Sequence, residues 1–260
     1  MKGTFVAGLA WLLTTTSIAA AQTPGAASIT REAGPFSVSA EALVLWFKSA
    51  SAPAPLVSTG LVGEPGTKVL LGGEDLDTNP NPGMRLSASY APAGPWGVDT
   101  SVFYIPTRST SRSVGSSGQP GSTDIFFPFI DPFIPGESVS NLSSAGLYSG
   151  HAVERFSTSL LGAELNGTFR VAAGAAWRLD ALGGFRYLRL RETYVFETDS
   201  PFIPPQPADV YHTRDQFDAT NNFFGGQLGL RARGDWGAWF VNGVAKVALG
   251  AMAQTVGIEG

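Results

Sequence analysis

The sequence predicts an all-β fold, organised as an antiparallel up-and-down transmembrane β-barrel. Polar and apolar residues alternate in one segment after another, and short connections alternate with long ones. Apolar residues at helical spacing are not sustained anywhere after residue 21. A period of two places successive side chains on opposite faces of a sheet, and connections sorted by length are typical of outer-membrane barrels.

The composition suits one membrane-embedded domain. The 260 residues contain 32 Gly, 18 Pro and only 15% charged residues, which is typical neither of a disordered chain nor of an ordinary soluble one. The net charge of −4 provides no basic surface, so we expect no nucleic-acid partner. The absence of Cys excludes disulfides and thiolate metal ligands.

The N-terminus predicts a secretion signal over residues 1–21. Lys2 precedes an apolar run that ends near Ile18, and Ala19 and Ala21 are the small residues that a signal peptidase requires. The run is too short and too rich in Thr for a membrane-spanning helix. We therefore predict that the mature chain begins at Gln22, with a short periplasmic segment at residues 22–35 and the barrel at residues 36–260.

Seven segments alternate over a length that can cross a bilayer as strands. In the first of them, Val38 and Val44 lie on one face and Glu41 lies on the other. The predicted strands are residues 36–48, 84–91, 96–105, 156–169, 177–190, 222–233 and 239–249.

The connections predict the orientation of the barrel. Those at residues 92–95, 170–176 and 233–235 are short and are expected in the periplasm, whereas those at 49–83, 107–155 and 192–217 are long and are expected outside. The aromatic residues near strand ends suit the two membrane interfaces, namely Trp46, Tyr90, Trp96, Tyr104, Trp177, Tyr187 and Trp236.

The face opposite the apolar stripe carries the charged residues. We predict that these charges face the lumen: Glu41, Arg85, Asp99, Glu164, Arg178, Asp180, Arg186, Arg231 and Lys246. Charges in a narrow interior must be paired or hydrated. They either line a pore or form an ion-paired plug. The plug is slightly favoured, because side chains can fill the interior of a barrel of about eight strands.

Catalytic and metal-binding motifs are not evident. His151 and His212 lie in predicted loops without a framing motif, so we predict no enzyme activity, no cofactor and no metal site. The segment Gly72–Asp77 could bind Ca²⁺ through its carboxylates, but a single acidic turn is the simpler interpretation.

Several segments resemble, in order, the beta-barrel porin family of the seventh type from bacterial outer membranes. They include Gly162-Ala163-Glu164-Leu165-Asn166, Gly184-Phe185-Arg186-Tyr187-Leu188 and residues 217–231, within a similarity that covers about residues 36–250. The resemblance implies a passive pore or a structural surface protein of the outer membrane. The expected partners are outer-membrane lipid and the barrel assembly machinery.

Two alternatives remain open from the sequence. A secreted soluble β-domain that binds ligands through its long loops would show the same alternation, because its apolar face would be a core. Seven strands is also an odd number, whereas bacterial single-chain barrels have an even number. Either the chain is a fragment or the count misses one strand, and the resemblance favours a fragment. We therefore expect the barrel to be incomplete, with C-terminal strands missing.

Overall fold

The computed structural model of the protein describes residues 2–8, 11–17, 28–50, 54–130, 133, 136–236 and 239–260. Within them, no helix is long and apolar enough to cross a membrane. The strands are β1 (Lys2–Gly8), β2 (Trp11–Ser17), β3 (Ser28–Ala33), β4 (Phe36–Leu45), β5 (Pro55–Ser58), β6 (Val69–Gly72), β7 (Asn81–Tyr90), β8 (Trp96–Ser116), β9 (Phe126–Ile130), β10 (Glu137–Asn141), β11 (Gly150–Ala173), β12 (Trp177–Pro201), β13 (Val210–Trp236) and β14 (Trp239–Glu259).

Ten strands form one antiparallel sheet in the order β3, β4, β7, β8, β11, β12, β13, β14, with β1 and β2 both paired along the outer edge of β14. This is the predicted up-and-down order. The sheet is open, since the described residues of β3 and of β1 and β2 do not pair with each other. The all-β architecture is confirmed, and closure of the sheet into a barrel stays a prediction.

All seven predicted strands are present, as β4, β7, β8, β11, β12, β13 and β14. Most are longer than predicted. For example, β11 has 24 residues, β12 has 25 and β13 has 27. The predicted long loop at residues 192–217 is therefore wrong: β12 and β13 pair continuously up to Pro201 and Val210. A crossing needs only about 9–11 residues per strand, so these strands continue well beyond one membrane thickness.

The other two long connections fold together. Strands β5, β6, β9 and β10 form a separate four-stranded sheet, called here the outer cap. The core of the outer cap packs against Ala152 of β11 and Phe196 of β12. Both residues share the sheet face of Glu164 and Arg186 by strand alternation. The outer cap therefore lies on the charged face of the sheet, beyond the predicted membrane segments.

The apolar side chains of the large sheet lie on its exposed face. Leu228 is 72% exposed, whereas Gln227 beside it is 3% exposed. Many large apolar residues share this exposure, among them Val38, Leu86, Val98, Val102, Leu165, Phe185, Leu230, Val247 and Leu249. A soluble sandwich would bury such a face against a second sheet. An exposed apolar patch of this extent is typical of a surface that contacts a membrane or another protein.

Aromatic residues border this apolar band at both ends. At the short-turn end, the ring of Trp96 lies 4.6 Å from that of Phe169, and Trp177 and Trp236 are exposed. At the other end, Tyr187 donates a hydrogen bond of 2.8 Å to Asn222 and contacts the ring of Phe224. Since Tyr187 follows Trp177 by ten positions, the band has the length of one tilted bilayer crossing.

The N-terminal segment lies along β14. β1 pairs with Ala251–Gly257 and β2 pairs with Asn242–Ala248. The predicted cleavage site, from Ala19 to Gln22, lies outside the described residues. Cleavage there would release the strands that cover this edge of β14.

Candidate interior site

The nine charges predicted to face the lumen share one face of the sheet, and all of them are ion-paired with one another. Three pairs and one shared carboxylate account for the set: Glu41 with Arg85, Asp99 with Arg231, Asp180 with Arg178, and Glu164 with both Arg186 and Lys246. The choice between a pore lining and an ion-paired plug stays a prediction.

Glu164 on β11 is the centre of the buried part. One carboxylate oxygen accepts from Arg186 on β12, and the other accepts from Lys246 on β14 and, at 3.1 Å, from Gln227 on β13. Gln227 also donates to Asn166 at 2.6 Å. The side chains of Glu164 and Arg186 are each 8% exposed. One carboxylate therefore joins four neighbouring strands. We call these five residues the Glu164 cluster.

Glycines give the Glu164 cluster its space. A Cβ at Gly184 would lie 2.0 Å from the carbonyl oxygen of Leu165 and 2.6 Å from Oδ1 of Asn166. A Cβ at Gly229 would lie 2.9 Å from Cγ of Lys246. Both glycines occur on the interior face, where long polar side chains lie flat across neighbouring strands. The sequence thus alternates large interior residues with glycine at this level.

An ion pair between distant strands shows that the sheet is curved and that its charged face is concave. Arg231 on β13 donates to Asp99 on β8 at 2.7 Å, although β11 and β12 lie between these strands. Three strand spacings of about 4.8 Å would separate the two backbones by about 14 Å in a flat sheet. The two side chains span that distance more easily across a curved surface, so the charged face is the inside of the curve.

Two further arginines occupy the interior face near the short turns. Arg170 is opposite Asp180, and Arg233 is opposite Arg178, in the strand register. The sequence places Arg170 in a predicted turn and Arg233 at the end of the predicted strand 222–233, and β11 and β13 extend past them. The alternation of Arg231 with Arg233 was a usable signal, because two residues separated by one position share a face.

A buried acid lies beneath the outer cap. Glu154 is fully buried on β11 and accepts a hydrogen bond of 3.0 Å from the hydroxyl of Tyr194. Burial, followed by the nearby Glu154 carboxylate, raises the pKa of Tyr194 above its usual value, so the phenol stays protonated and donates. Sequence reasoning missed Glu154 because it lies in a predicted loop.

The histidines lie on the convex face of the sheet, and the acidic turn lies at the outer cap. His151 and His212 flank Asp199 in the register of three strands, and Nδ1 of His212 lies 2.7 Å from Asp199. Throughout the described part of the chain, no three His, Asp or Glu side chains are grouped to hold a metal ion. In the Gly72–Asp77 turn, Glu74 pairs with Arg112 at 2.7 Å and Asp77 accepts from the backbone of Asn79.

Comparison with known proteins gives one family. Residues 37–260 match the family described as "Putative beta barrel porin-7", which is most of the chain. No curated protein and no solved structure gives a significant match. The match agrees with the resemblance of the strand segments and with the all-β meander described above. The chain belongs to the beta barrel porin-7 family.

Proposed function

We propose that the chain is an integral outer-membrane β-barrel protein of bacteria. The observation that carries this proposal is the inverted polarity of the large sheet. Leu228 and Leu249 are 72% and 64% exposed, whereas Glu164 and Arg186 are buried. Apolar side chains on the convex face and ion-paired side chains on the concave face are the arrangement expected of a membrane barrel, whose outer surface contacts lipid.

The Glu164 cluster argues for a narrow passive passage. Side chains from β11, β12, β13 and β14 meet at one level and exclude solvent there. The outer cap covers the same face farther out, where Ser200 donates to the carbonyl of Leu142 at 2.8 Å. In our proposal the interior is closed to all but small solutes by the Glu164 cluster and the outer cap.

A secreted soluble domain is the second candidate, because the outer cap has a small apolar core of its own around Val57, Leu71 and Ile125. This core does not cover the convex apolar band. A soluble domain would be released from membranes by high-salt washing, whereas a membrane barrel would be released only by detergent.

Single-channel recordings in planar bilayers test the narrow passage. The purified full-length protein is expected to show a low conductance. The double variant Glu164→Ala, Lys246→Ala removes two interior side chains together, leaves Arg186 as the one charge of the cluster, and is expected to raise the conductance. The matched control is Glu41→Ala, Arg85→Ala, which removes a half-exposed pair. Equal conductance in all three proteins would show that the Glu164 cluster does not narrow the passage.

A further inference from the structure

The membrane-length part of the interior face carries more cations than carboxylates, and four of the cations lie near the short turns. Up to the short turns, seven cations share this face with five carboxylates: Arg85, Arg170, Arg178, Arg186, Arg231, Arg233 and Lys246 with Glu41, Asp99, Glu164, Asp180 and Asp235. The whole chain, by contrast, has a net charge of −4. This part of the interior face is therefore positive in a protein that is negative overall.

Four arginines form the positive end of the interior. Arg178 pairs with Asp180 at 2.9 Å, and Arg231 pairs with Asp99 at 2.7 Å. Among the described residues, Arg170 and Arg233 make no ion pair, and Nε of Arg170 is buried without a hydrogen-bond partner. We call Arg170, Arg178, Arg231 and Arg233 the inner arginine cluster.

The register brings like charges together in this cluster. Arg178 and Arg233 are direct cross-strand partners, an arrangement that is destabilising when nothing lies between the charges. Arg233 also interacts electrostatically with Arg231 and with Asp99 and Asp180. The two carboxylates are already engaged by Arg178 and Arg231, so an added anion would offset the remaining repulsion.

We propose that the inner arginine cluster is a binding site for small oxyanions such as inorganic phosphate. The planar guanidinium group presents paired N–H donors that match the oxygens of phosphate and carboxylate. Arg233 is exposed at the short-turn end, where a solute can reach it. The inference rests on the proposed function, because it assigns a solute class to the interior of the same barrel.

The test uses the full-length protein in detergent, titrated with inorganic phosphate at constant ionic strength and followed by ³¹P line broadening. Arg233→Gln removes one cation without leaving a carboxylate unpaired. Arg191→Gln is the matched control, because Arg191 lies on neighbouring β12, faces the other side of the sheet and is exposed. Loss of one charged hydrogen-bond donor is expected to weaken phosphate binding at least about tenfold.

Binding by the unaltered protein and by Arg191→Gln, together with loss in Arg233→Gln, would support the site. No broadening in the unaltered protein, or equal broadening in all three, would overturn it. A short-chain phosphatidylglycerol forms a second arm: stronger competition by this lipid than by phosphate would assign the arginines to a headgroup and contradict a solute site. Heat-modifiable mobility, measured in parallel, reports on the barrel itself and separates failure of the proposed function from failure of this inference.

Discussion

Replacing Glu164 by Gln is expected to destabilise the protein by about 3–5 kcal/mol. The substitution leaves Arg186 and Lys246 buried without their shared carboxylate, and breaking a buried ion pair by removing one partner has a cost of that size. Urea unfolding of the protein in lipid vesicles would measure the loss in the free energy of unfolding.

Glu41→Gln is the control for this measurement. Glu41 and Arg85 form a pair whose side chains are 37% and 27% exposed, and exposed pairs contribute about 0–1 kcal/mol. The double variant Glu164→Gln, Lys246→Met should lose less free energy of unfolding than the sum of the losses in the two single variants, since the two residues are in contact. Similar small losses for Glu164→Gln and Glu41→Gln would show that the interior pairs are not buried as described.

Replacing Leu228 by Arg is expected to cost about 2–4 kcal/mol if the convex face of β13 contacts the bilayer core. Leu228 is 72% exposed, so a solvated face would accept the same change with little loss. The variant would be compared with the unaltered protein by urea unfolding in lipid vesicles and by heat-modifiable mobility.

Thr220→Arg is the matched control for Leu228→Arg. Thr220 lies on the same face of the same strand, beyond the ring of Tyr187 and opposite Arg191, and the expected cost there is at most about 1 kcal/mol. Gln227 is a poor control, although it faces inward, because it is hydrogen-bonded within the Glu164 cluster. Equal losses at Leu228 and Thr220 would contradict the assigned membrane boundary.

The membrane-length part of each strand could be predicted from the sequence, and the rest could not. Within the apolar band, alternation distinguishes Leu228 from Gln227. Beyond it, both faces of the strands are polar: Ser109 pairs with Ser157 at 2.9 Å on the convex side, and Thr198 pairs with Thr213 at 2.6 Å on the concave side. Because polarity does not alternate along these parts of the strands, the sequence pattern predicts loops there.

The interior site could be predicted as a set of residues but not as a network. Alternation places each of the nine charges on the concave face. The pairing of Asp99 with Arg231 joins positions 132 apart through the curvature of the sheet, and curvature has no signature in a local pattern. The outer cap depends in the same way on distant contacts, since Ser58 pairs with Phe126.

We propose that the convex face of the large sheet contacts lipid, and spin labels on β13 test this directly. The chain has no Cys, so single introduced thiols on β13 can carry nitroxide labels without competition. Labels at convex positions 224, 226, 228 and 230 are expected to be accessible to oxygen and shielded from a water-soluble nickel chelate. Labels at convex positions 214, 216 and 220, beyond the apolar band, should show the reverse. Equal access of the nickel chelate to both sets, in protein reconstituted in vesicles, would place the convex face in water and contradict the account.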